Sequence, residues 1–91
     1  MRVRWTPTAA DDLAQIVEHI TRDNREAARR VAKAIVEGID GLKDFPRRGR
    51  AGRVENTREI VFLPWPYIAV YEIVQDQIRV LRIRHAAQNW P

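Results

Sequence analysis

Two apolar stripes at helical spacing, one directly after the other, constrain this chain more than any other feature of its sequence. Leu13, Ile16, Val17 and Ile20 follow i, i+3, i+4, i+7 spacing, which lines one face of a helix. Ala28, Val31, Ile35, Ile39 and Leu42 continue at three- and four-residue steps until Phe45-Pro46 ends the run. Between them Asp23-Asn24 breaks the pattern, and Asn24 is a good cap for a second helix. The first helix starts either with Thr6 as cap and Pro7 in the first helical position, or with Thr8 as cap and Asp11 three residues on. So short a link makes the two helices an antiparallel hairpin. Each stripe then needs an apolar surface to cover.

The remaining segments supply that surface as strands. Residues MRVRW alternate, with Met1, Val3 and Trp5 on one side and Arg2 and Arg4 on the other. Arg58–Leu63 reads as a strand, Pro64-Trp65-Pro66 as a turn, and Tyr67–Val74 as a central strand apolar on both faces. A second turn at Gln75-Asp76-Gln77 leads into a last strand over Ile78–Ile83. The order is β-α-α-β-β-β. The economical α+β arrangement is an antiparallel sheet packed against the helical hairpin, in a single domain spanning residues 1–91. A chain of this length buries only about 60–65% of its unfolded surface, so few residues can be spared from packing. Trp65 is expected at the loop between its two prolines, and Trp90 is expected to pin the C-terminus.

Sixteen Lys and Arg oppose twelve Asp and Glu, a formal charge of +4, and only Lys33 and Lys43 are lysines. Arginine grips phosphates and carboxylates bidentately, so this bias points to an anionic partner. The densest run is PRRGRAGR, where Arg47, Arg48, Arg50 and Arg53 precede Arg58 at the start of a strand. The four loop arginines read as a flexible steering surface, with Arg58 as a fixed contact. Strict alternation along the last strand puts Ile78, Val80, Arg82 and Arg84 on one face and Arg79, Leu81, Ile83 and His85 on the other. The expectation is one open sheet face carrying Arg58, Arg82 and Arg84 beside Tyr67 and Tyr71, able to hold a polyanion and stack a base. His85, at the strand end, is the side chain best suited to move a proton near neutral pH. Glu59 reads as a solvent-facing partner for an arginine. His19 lies on the polar side of the first helix with Asp12 and Gln15 and receives no role.

Other chemistries leave no trace in the sequence. There is no phosphate-binding P-loop, dinucleotide fingerprint, nucleophile elbow or HExxH motif, and no cofactor or metal is expected. The absence of cysteine removes disulfides and thiolate zinc sites and fits a reducing cytoplasm. No apolar run approaches the ~18 residues of a membrane span.

The element order, together with TRDNREAARRV, FPRRGRAGRVENTREIV, PYIAVYEI and the ending VLRIRHAAQNWP, resembles the RelE/ParE superfamily of bacterial type II toxin–antitoxin toxins over almost the whole chain. The resemblance implies a small cytoplasmic growth inhibitor of the plasmid-stabilisation kind, neutralised by a co-expressed antitoxin whose tail folds on binding. It implies ribosome-dependent mRNA cleavage as the mode of action, with inhibition of DNA gyrase as the alternative. RelE-like members are endoribonucleases that cut ribosome-bound mRNA, which would make His85, Arg58 and Arg84 catalytic and give Arg47, Arg48, Arg50, Arg53, Arg82 and Tyr67 RNA-binding roles. ParE-like members inhibit DNA gyrase without catalysis. The sequence departs from several nucleases in having Pro66-Tyr67-Ile68 where they carry an arginine before the apolar run, and it lacks the lysine pair some use.

Overall fold

A computed structural model describes residues 1–87. The expected role of Trp90 lies outside the described residues. The elements run β1 (Arg2–Trp5), α1 (Pro7–Asp23), α2 (Arg25–Asp40), a 3-10 turn (Gly41–Lys43), β2 (Arg50–Ala51), β3 (Arg58–Val61), β4 (Tyr67–Val74) and β5 (Gln77–His85).

Local chemistry sets the helix ends. Thr6 caps α1, its Oγ1 accepting from Ala9 N at 3.1 Å with Pro7 in the first turn. Asn24 serves both helices. Its N–H reaches Ile20 O at 2.8 Å to close α1, and its side-chain oxygen accepts from Ala27 N at 3.0 Å to open α2. A one-residue junction of this kind forces the chain to reverse, so both stripes turn toward the sheet. Val31, Ile35 and Ile39 of α2 and Leu42 just beyond it are fully buried against Tyr71, Ile78 and Val80. Leu13, Ile16 and Ile20 of α1 pack at the margin of the same core.

The sheet order is β1-β5-β4-β3-β2. It is mixed rather than wholly antiparallel. β1 runs parallel to β5, pairing Val3 with Ile78 and Trp5 with Val80, while the other neighbours are antiparallel. The reason is the number of strands after the hairpin: β2, β3, β4 and β5 alternate in direction, and four such strands leave the last, β5, running the same way as the first, β1. β2, only two residues long, is an additional edge strand inside the arginine loop.

The β4–β5 pairing contains a bulge. Tyr71 pairs with Val80 and Val70 with Arg82, so Leu81 is the extra residue. The insertion reverses the alternation of everything after it. Ile78, Val80 and Ile83 all reach the core, although strict alternation assigns Ile83 to the other face. The β4–β5 connection is a two-residue turn, Gln75 and Asp76 both having positive φ (50° and 61°), as tight hairpins of this twist require.

Candidate functional site

The predicted site residues fall into two separate places. The first is the arginine loop, which proves to be tethered rather than flexible. Tyr71, with no exposed surface, donates its hydroxyl hydrogen to Pro46 O and accepts from Gly49 N, both at 2.8 Å. Arg58 donates through Nη1 to Gly49 O at 2.9 Å and to Arg47 O at 3.3 Å. Glu59 accepts from Arg53 N at 3.0 Å and pairs with Arg50 at 3.4 Å. Its 3% exposure corrects the expectation of a solvent-facing carboxylate. Three side chains of the sheet therefore hold the loop backbone, and the side chains of Arg47, Arg48, Arg50 and Arg53 project into solvent from it. Gly49 is required here, because a Cβ would stand 2.6 Å from the Tyr71 hydroxyl and 2.9 Å from Glu59 O. Beside the loop, a groove of about 530 Å³ runs between α2 and β3, floored by Ala34, Gly38 and Phe62 and flanked by Arg48 and Arg50. The apolar side chains of Val61 and Leu63 are 43% and 82% exposed at this edge.

The second place is the end of β5. β1 pairs with β5 only as far as Val80, which leaves Leu81–His85 without a strand on that side. The start of α1 closes this edge. Thr6 N donates to Val80 O at 3.0 Å, Thr6 Oγ1 donates to Leu81 O at 3.2 Å, and Asp12 accepts from Ile83 N at 3.0 Å. Arg82 forks onto the same carboxylate through Nε at 2.8 Å and Nη2 at 3.1 Å. Hydrogen bonding to Asp12 is the main reason the Arg82 guanidinium is held above its ordinary pKa, against the smaller effect of burial. A recess of about 300 Å³ lies alongside, where α1 contributes Asp12, Gln15 and His19 and the sheet contributes Tyr67, Arg84 and His85. Tyr67 and His85 are cross-strand partners whose rings meet edge-to-face, 5.5 Å between centroids at 84°. His85 Nδ1 accepts from Ala87 N at 3.1 Å, which places the neutral ring's proton on Nε2.

Arg58, Arg82 and Arg84 do not share one open face. Arg58 pairs with Tyr71 on the side of the sheet that meets the helices, whereas Arg82 and Arg84 stand in register with Val70 and Ile68 on the other. Tyr71 is buried under the loop and offers no stacking surface. Arg82, Arg84, Tyr67 and His85 come together at the recess; Arg58 belongs to the loop tether. Sequence reasoning passed over His19, Asp12 and Gln15 as partners of His85. The signal was present, since all three share one polar face of α1, but nothing local to the helix shows that this face meets the end of β5.

The same fold occurs in solved structures. The chain superposes on a chain of the chromosomal ParDE toxin–antitoxin system from P. aeruginosa with a TM-score of 0.85 and 30% identity, covering 93% of this chain and 95% of that one. A chain of the RelBE2 toxin–antitoxin complex from Mycobacterium tuberculosis gives 0.69 and 28%, covering 92% and 95%. The E. coli RelBE complex, at 13% identity and 0.62, shares the fold, covering 96% of this chain and 98% of its own. Fold and layout are thus those of the RelE/ParE class of small toxins. Residues 3–90 match the family described as the ParE toxin of the type II toxin–antitoxin system parDE, and the chain belongs to it. Among its relatives, the putative toxin Y4kP of Sinorhizobium fredii is 41% identical over 90 residues, covering 99% of this chain and 93% of the relative. Toxin RelE2 of Caulobacter vibrioides is 36% identical over 87 residues, covering 96% and 97%.

Proposed function

We propose that this type II toxin arrests growth by binding a protein target, DNA gyrase, and that a cognate antitoxin neutralises it by covering the same surface. The observation that carries this reading is the engagement of Arg58 and Arg82 inside the fold. Stabilising a phosphorane needs guanidinium groups aimed at the reacting phosphate. Here Arg58 is turned onto two loop carbonyls and Arg82 onto Asp12, so two of the three arginines that cleavage would call on already hold the structure together. What remains outward is a tethered cationic loop beside an apolar groove, a surface suited to macromolecular docking with charge for steering and Val61, Leu63 and Phe45 for burial. An antitoxin tail rich in acidic and apolar residues fits the same chemistry. The likeness to a chain of a ParDE system supports this branch of the superfamily.

A ribosome-dependent endoribonuclease is the second reading, and the recess favours it by gathering His85, Arg84 and Tyr67. The test runs both assays on one preparation. Stoichiometric loss of gyrase supercoiling with intact transcripts in a translating extract supports gyrase binding. Cut transcripts with normal supercoiling overturn it. His85→Ala separates the readings further: it leaves gyrase inhibition unchanged on the first and weakens toxicity about tenfold or more on the second.

A further inference from the structure

β4 runs on past the start of its neighbour, β3. The two pair from Val61 opposite Ile68 to Arg58 opposite Tyr71, and the ladder stops there. Asn56, with φ of 66°, and the Thr57 N–H donating to Val54 O at 3.1 Å turn the chain before β3 away from β4. One bond fixes which way the β4 backbone points. Phe62 N donates to Tyr67 O at 3.3 Å, and such pairs recur at every second residue of an antiparallel ladder. Tyr67, Ala69, Tyr71 and Ile73 therefore turn their N–H and C=O groups toward β3. Ile73 lies beyond the end of β3, and among the described residues nothing on that side receives its backbone. A recess of about 620 Å³ occupies the place where β3 would continue, lined by Arg47, Thr57, Arg58, Glu72, Ile73 and Val74. Its charge is one-sided. Glu72 is engaged by Arg79 at 3.1 Å, whereas Arg47 and Arg58 have no carboxylate partner among the described residues. Arg58 binds the loop carbonyls through Nη1, which holds its guanidinium in place and leaves Nε and Nη2 for another acceptor.

We propose that this recess captures the C-terminal end of another polypeptide, which adds to β4 as a short antiparallel strand with its terminal carboxylate on Arg58 and Arg47. Strand direction makes the assignment. A segment added antiparallel to β4 in the line of β3 runs the same way as β3, so its C-terminus arrives where β3 begins, at Arg58. The last residue then sits opposite Ile73, its N–H donating to Ile73 O and its carboxylate accepting from Ile73 N and the two guanidiniums. Main-chain bonds at a sheet edge supply affinity, and the charge-assisted bonds select a free terminus. A parallel addition would instead bring an N-terminal ammonium against Arg58 and Arg47, like charge on like. Ile73, half-buried, and Val74, 37% exposed, give the terminal side chain an apolar surface. The inference does not rest on the gyrase reading, and Arg58 stands beside Tyr71, along β4 from the recess of Tyr67 and His85.

The experiment titrates the full chain with the peptide acetyl-Ser-Thr-Val-Thr-Val bearing a free C-terminus, read by calorimetry and by amide resonances. The Ile73 amide and the Arg58 Nε–H should shift together, with a Kd below about 1 mM. The C-terminal amide of the same peptide should bind about tenfold or more weakly, and so should an amidated version with one threonine replaced by glutamate, which restores the charge in the wrong place. Methylating the nitrogen of the last residue should weaken binding by about threefold to tenfold, since it removes the bond to Ile73 O. Arg47→Gln should weaken the free acid by about threefold or more while the melting temperature holds, because the side chain is exposed. Equal binding of the amide or of the glutamate peptide would overturn the carboxylate assignment. Equal binding of the methylated peptide, or shifts confined to the groove between α2 and β3, would overturn the strand addition. Concentration-dependent shifts of Ile73 without any peptide would make a second copy of this chain the occupant and overturn the assignment to another polypeptide. Arg58→Gln loosens the loop as well, so the peptide variants, which leave the protein untouched, decide the matter.

Discussion

Removing one oxygen atom should loosen the whole arginine loop. In Tyr71→Phe the ring keeps its place against Ile35 and Val80, so no cavity opens, and only the hydroxyl is lost. That hydroxyl makes two hydrogen bonds of 2.8 Å, donating to Pro46 O and accepting from Gly49 N. A neutral hydrogen bond contributes about 0.5–1.5 kcal/mol net, and a buried donor left without a partner costs about 1–3 kcal/mol. Gly49 is buried, so its N–H falls in the second class, while half-buried Pro46 O can recover some solvation. The expected cost is about 2–3 kcal/mol. In a domain of this size each kcal/mol corresponds to about 4–8 °C, so the melting temperature should drop by about 10–20 °C. Thermal melts by circular dichroism measure the drop, and amide exchange at Gly49 locates it. A melting temperature within about 2 °C of the parent, with Gly49 still protected, would refute the claim that the hydroxyl tethers the loop.

Four further outcomes are expected. Asp12→Ala removes the acceptor shared by Arg82 and Ile83 N; because the pair is partly solvated the cost should be about 1–3 kcal/mol, read by chemical denaturation, and a change below about 0.5 kcal/mol would mean the fork is incidental. The raised Arg82 pKa adds no pH dependence near neutrality, since a raised cation stabilises at every pH below its unfolded value and the loss comes only in strong alkali. Gly49→Ala should destabilise by about 1–3 kcal/mol, because neither the Tyr71 hydroxyl nor the Glu59 carbonyl can retreat without breaking its own bonds. Exchanging Arg47, Arg48 and Arg53 together for glutamine should slow target association by about tenfold at low salt and flatten its salt dependence, with the melting temperature held within about 2 °C; an unchanged salt slope would remove steering from their role.

Much of the scaffold was legible along the chain because it rests on local causes. Thr6, Pro7 and Asn24 act within a few residues of themselves, and the stripes of α1 and α2 repeat at a period the helix alone sets. The apolar character of Tyr67–Val74 likewise marked the strand that ends up third of five in the sheet. The site was legible only as a set of residue types. Arginine, histidine and tyrosine near the strand ends were the right residues to notice, but their grouping depended on pairing between segments far apart in sequence.

The helical hairpin, its caps and the excess of guanidinium groups are consequences of sequence alone, since each arises between neighbours on the chain. Tertiary structure decided the rest. Only the match of β4 to β5 inserts Leu81 as an unpaired residue, and that insertion turns Ile83 into the core and separates Arg58 from Arg82 and Arg84. Only the packing of β3 under the loop buries Glu59 and turns its charge inward to Arg50 and Arg53 N. A strand's alternation specifies two faces, but which face meets the helices, and where the alternation slips, is set by the neighbouring strand.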